Sequence, residues 1–111
     1  MKVEFEIEGL KEEILNYSLR YVEYSVKEYP HQIFVTISPK TEFLKLVLGE
    51  THIAIPVSEC EGRYETDLYQ LTEALDKIRK EAIKIQEKTE KILRAIIKTV
   101  EELKTQKTVE E

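Results

Sequence analysis

From Thr66 to about Gln106 the chain contains no Gly and no Pro. Within that stretch Leu68, Leu71, Leu75, Ile78, Ala82, Ile85, Thr89, Ile92, Ile96, Thr99 and Leu103 recur at alternating three- and four-residue steps and fill the a and d positions of a heptad frame. The pattern predicts one very long helix over 67–106, with Thr66 or Asp67 as its N-cap. At ~1.5 Å per residue this helix would run roughly 60 Å, whereas a compact body made from the other residues would be about 25 Å across. The two lengths do not match. Beyond Thr89 the helix should outrun the body, yet Ile92, Leu93, Ile96, Ile97, Val100 and Leu103 make this far segment greasier than the near one. Burying such side chains is worth ~1.5 to 3 kcal/mol each, so leaving all of them in water forgoes a driving force on the order of 10 kcal/mol. A large contiguous apolar patch of this kind marks an interaction surface. The expected occupant is a second copy of the chain or a paralogous protein.

The rest of the chain is read by period. Val3, Phe5 and Ile7 alternate with charged residues, as in a strand with one wet face. From Leu10 the period changes, and Leu15, Leu19, Val22, Val26 and Tyr29 predict a helix that Pro30 ends. Ile33, Val35 and Ile37 form a second strand, the apolar run Phe43 to Leu48 a third, and Ile53, Ile55 and Val57 a fourth. Gly49-Glu50 fits a hairpin turn between the last two, Pro56 marks an edge, and Ser58 to Glu65 reads as a loop. The expected fold is thus α+β in the order β-α-β-β-β-α. An antiparallel sheet of three to four strands would carry both helices on one face, within a single domain over 1–106 followed by a frayed tail at 107–111.

Composition narrows the function classes. A net charge of -5, from 22 acidic and 17 basic residues, gives no basic field, so direct nucleic-acid binding is disfavoured. The row Lys77, Lys80, Lys84, Lys88, Lys91 and Lys98 on the long helix is interleaved with acids at i, i+4, as in a self-paired solvated face. A single cysteine, Cys60, excludes an internal disulfide, and His31 and His52 lack companions at metal-ligand spacing. No cofactor, metal or catalytic grouping is expected, and the chain reads as a non-enzyme. It has no run long enough to span a membrane and no leader-like N-terminus, which points to the cytoplasm. The charged, Glu/Lys-rich composition leans towards a thermophile. Tyr17, Tyr21 and Tyr24, at i, i+4 and i+7, would form an aromatic stripe on the first helix and a second candidate interface.

The strand KVEFEI, a helix ending near EYP, the hairpin EFLKLVLGETHIAIPVS and the closing helix DLYQLTEALDKIRKEAIKI together resemble the small dimerisation subunit of the KEOPS complex, or a divergent paralogue of it. KEOPS makes the threonylcarbamoyl modification of adenosine in tRNA. The resemblance implies a non-catalytic accessory subunit that pairs through its sheets and helices. An RNA-binding module, or a coiled-coil chaperone-like protein presenting the long helix, is the alternative.

Overall fold

The computed structural model describes residues 1–105 in full and carries the backbone of the last helix on to Glu110. Its elements are β1 (Lys2–Phe5), α1 (Ile7–Leu15), β2 (Val22–Tyr29), β3 (Gln32–Pro39), α2 (Glu42–Leu48), β4 (Thr51–Pro56), β5 (Ser58–Cys60), β6 (Arg63–Asp67) and α3 (Leu68–Glu110). The strands form two three-stranded antiparallel sheets, ordered β2-β3-β4 and β1-β6-β5. The α+β class and the very long C-terminal helix stand. The single sheet and the shorter element order do not. The tail expected over residues 107–111 lies outside the fully described residues.

The first sheet is built on β3, whose burial alternates from Gln32 to Ile37 before Ser38 and Pro39 are both covered. Ile33, Val35 and Ile37 have no exposed surface, and their register partners Ile55 on β4 and Val26 and Tyr24 on β2 point the same way. His52, Ala54 and Pro56 face outward, and Pro56 closes the edge strand where its missing donor costs nothing. Val57 then turns the corner between the sheets: its N–H donates to the His31 carbonyl at 3.0 Å, and its side chain is buried. A second tie crosses the corner, from Thr66 Oγ1 to the Pro56 carbonyl at 2.7 Å.

Three sequence-based expectations are overturned. The helix expected to reach Tyr29 stops at Leu15, where the N–H groups of Asn16, Tyr17 and Ser18 bond back on the last turn. Val22 and Val26 are four apart, a spacing that suits a helix face and a strand face equally. Pairing with all eight residues of β3 decides for the strand. Leu15 is consequently left 63% exposed, and Ile7 begins α1 rather than ending β1. The run Phe43 to Leu48 is helix α2, not a strand. Thr41 Oγ1 caps it by accepting the Leu44 N–H at 3.3 Å, and Gly49 ends it at φ +77°, a left-handed conformation glycine takes without strain. Finally, the loop expected over Ser58 to Glu65 is the hairpin β5–β6. Its turn residues Glu61 and Gly62 both have positive φ, as a primed two-residue turn requires, and its buried residues are Tyr64 and Thr66.

Helix α3 begins as read, with the Asp67 carboxylate accepting the Gln70 N–H at 3.1 Å. That bond to the backbone, first among its causes, holds the Asp67 carboxyl below its ordinary pKa. Ala74, Ile78, Ala82, Ile85 and Thr89 are buried, and the near half of the helix packs on β3 and β4. There is no break at Thr89. The whole particle measures 72 × 20 × 18 Å, so the helix sets its long dimension.

Candidate association interface

The far half of α3 leaves the body at about Leu93. Thr89 is fully buried and Ile92 and Leu93 are half-buried, whereas Ile96, Ile97, Val100 and Leu103 are 46%, 56%, 46% and 58% exposed. The predicted apolar stripe is therefore present and bare along the overhang. Its base is not featureless. A cleft of about 280 Å³ opens where the turn before β2 meets α3, lined by Arg20, Tyr21, Gln86, Glu90, Leu93, Arg94 and Ile97. Gln86 holds it together: its Oε1 accepts the Tyr21 backbone N–H at 2.9 Å, and its Nε2 donates to Glu90 at 2.9 Å. Arg20 lies 5.4 Å over the Tyr21 ring, and Arg94 approaches Glu90 at 3.8 Å.

The tyrosines do not form a helical stripe, because α1 ends before them. Tyr17 sits in the turn after α1, half-buried, and its hydroxyl donates to Glu13 at 3.0 Å. Tyr24 is on β2 and donates to the Tyr17 carbonyl at 2.7 Å. Burial is the chief reason that both phenols are raised above their ordinary pKa. Both hydroxyls are engaged within the chain, and only Tyr21 reaches the cleft. Arg20 escaped notice in the sequence, since on the expected helix it was one more solvated base. Its only signal was to lie beside Tyr21.

Elsewhere the lysine row of α3 is partly self-paired, Lys80 with Asp76 at 2.8 Å and Lys84 with Glu81 at 3.1 Å. His52 Nδ1 lies 2.9 Å from Thr36 Oγ1. Among the described residues no cluster of three or more His, Cys, Asp or Glu side chains has metal-binding geometry, and no helix is long and apolar enough to cross a membrane. A second exposed apolar group lies on α2, where Leu44 turns inward and Phe43, Leu46 and Val47 turn out. Of the elements that carry the KEOPS resemblance, the first strand and the closing helix keep their form. The helix ending near EYP is strand β2, and the first arm of the hairpin is α2. Compared with protein-family models, curated proteins and solved structures, the chain has no match.

Proposed function

We propose that this chain is a non-catalytic association subunit that oligomerises through the distal half of α3. One observation carries the reading: a continuous helix projects past its own body with Ile96, Ile97, Val100 and Leu103 in water. A helix bare on its apolar face is stable in isolation only with difficulty, because most helical stability in proteins comes from packing that face. A partner helix supplies the packing. Membership of a KEOPS-like assembly is one specific form of this proposal, but the proposal does not depend on it, since only the first strand and closing helix keep the expected form. Analytical sedimentation tests it directly. The full chain is expected to sediment as an oligomer at micromolar concentration, and a chain ending at Ala95 as a folded monomer with an unchanged β-sheet signature. A full-length monomer under those conditions would sink the proposal.

A further inference from the structure

We infer that the free edge of β2 takes up an extended segment of another protein as a further strand, seated in the groove between that edge and α1. This surface is separate from the overhang of α3 and goes beyond the association proposed above. β2 is the outer strand of its sheet. The Lys40 N–H donates to the Tyr21 carbonyl at 3.2 Å, and these two residues continue the register in which Val22 faces Pro39. Bonded and non-bonded pairs alternate along an antiparallel ladder. Glu23, Ser25 and Lys27 therefore direct their backbone groups to β3, and Tyr24, Val26 and Glu28 direct theirs away from it. Among the described residues nothing bonds to the N–H and C=O groups of those three. They recur every ~7 Å, which is the repeat of another strand.

The other edges of the fold are blunted. By the same alternation β4 turns His52, Ala54 and Pro56 outward, but Pro56 has no N–H and its carbonyl accepts the Thr66 hydroxyl at 2.7 Å. β1 has four residues and β5 three, and short edges of this kind discourage pairing. β2 has eight residues and no proline. Lys27, the sort of charge that guards an edge, lies on the face of the sheet opposite Tyr24 and Val26.

A groove of about 320 Å³ runs beside this edge, lined by Lys11, Ile14 and Leu15 of α1 and by Tyr24 and Val26 of β2. Leu15 is exposed, and Tyr24 and Val26 are only half-buried although they share the core-facing side of the sheet. An added strand sets every second side chain on that side, so its apolar residues fall against Leu15, Tyr24 and Val26. Backbone bonds supply the attachment and the groove supplies the choice of sequence, as in strand addition generally. Lys11 is the one charge among the lining residues. Glu8 stands 3.7 Å from it, and Glu28, further along the edge, already accepts the Tyr64 hydroxyl. The occupant that fits is an extended peptide, apolar at alternate positions, with a carboxylate level with Lys11.

Hydrogen exchange followed by NMR on the full chain tests both the edge and its occupant. Without peptide, the amides of Tyr24, Val26 and Glu28 are expected to exchange fast and those of Ser25 and Lys27 slowly. A random decapeptide library displayed on phage is then selected on the full chain, and the enriched peptide is synthesised. It is expected to alternate apolar residues, to carry an acid and to slow the amides of Tyr24, Val26 and Glu28. Leu15→Glu should weaken its binding by about tenfold or more. Leu15 is exposed, so this variant keeps the fold, which slow exchange at Ser25 and Lys27 verifies. Slow exchange of the Tyr24, Val26 and Glu28 amides without peptide would overturn the inference, because the edge would then already be closed, by a second copy or otherwise. So would a library that enriches no peptide, or an enriched peptide that leaves those amides fast and is indifferent to Leu15→Glu.

Discussion

The near and far halves of α3 present the same helix face to opposite surroundings. Ile78 in the near half has no exposed surface, and Ile96, five turns further along the same face, keeps 46% of its own. Nothing in the local sequence marks the loss of cover, since the heptad spacing runs straight through it and the apolar character rises beyond it. The difference teaches that periodicity identifies which face of a helix wants cover, while tertiary structure decides where the cover stops. Here it stops because β3 and β4 are short: the body supplies only so much sheet, and the helix goes on.

Substitutions can break that comparison in order of size. Ile78→Ala, in the packed half, should lower unfolding free energy by about 2 to 5 kcal/mol, measured by urea denaturation. A loss equal to that of a surface site would mean that the near half is not packed as described. Thr89 sits at the junction and has a buried hydroxyl without a hydrogen-bond partner, unlike Thr72 and Thr99, which donate to carbonyls one turn back. Thr89→Val keeps the shape and removes the unsatisfied group, so a gain of about 1 kcal/mol is expected; a loss would show that the hydroxyl is satisfied in solution. Ile96→Ala, in the bare half, should change the unfolding free energy of the monomer by no more than about 0.5 kcal/mol. Its effect should fall on the oligomer's dissociation constant instead, and a large monomer effect would place the overhang against the body.

The smallest effects are those of pH. Tyr64, stacked on Phe5 at 5.9 Å, donates its hydroxyl to Glu28 at 2.8 Å across the two sheets. That bond, ahead of burial, pushes its pKa up to about 12. With the unfolded phenol near ~10, the folded state holds its proton longer, so the contribution is complete below ~10 and is lost as pH rises towards 12. For Asp67 the sign reverses: the folded carboxyl is depressed, so its contribution is present above the unfolded value and fades as pH falls. Thermal midpoints of Tyr64→Phe and Asp67→Asn should therefore flatten the alkaline and acid limbs respectively. Unaltered limbs would refute the two assignments.

How much was legible follows from which signals are ambiguous. Strand β3, the edge at Pro56 and α3 were readable because Ile33, Val35 and Ile37, or Ile78, Ala82 and Ile85, fit one period only, while the cap of α3 was left between Thr66 and Asp67 until the Gln70 N–H decided for Asp67. Val22 and Val26 fit two, and the alternating Val22, Tyr24 and Val26 was the evidence that should have weighed more. The run Phe43 to Leu48 has almost no polar residue to reveal a period, so its helix was announced only by Thr41 in front and Gly49 behind. The hairpin β5–β6 hid because its outer strand is exposed on every side chain. Of the candidate interface, the apolar stripe was visible in the heptads. The cleft was not, since it joins Arg20 to Arg94 through a turn that only the β2 pairing creates.

The corner of the fold also fixes an order of assembly. β1 pairs with β6, Lys2 opposite Asp67, and the Leu68 N–H closes onto the Met1 carbonyl at 2.8 Å. During synthesis the hairpin of β2 and β3 can close as soon as it leaves the ribosome, for its partners adjoin in sequence. β1 emerges first and docks late. Until β6 has been made, Val3 and Phe5 have no strand to pair with, and the first residues wait as an unpaired edge. In a nascent chain this segment is the one a chaperone would meet, and contacts of such long sequence separation are the slow ones to form.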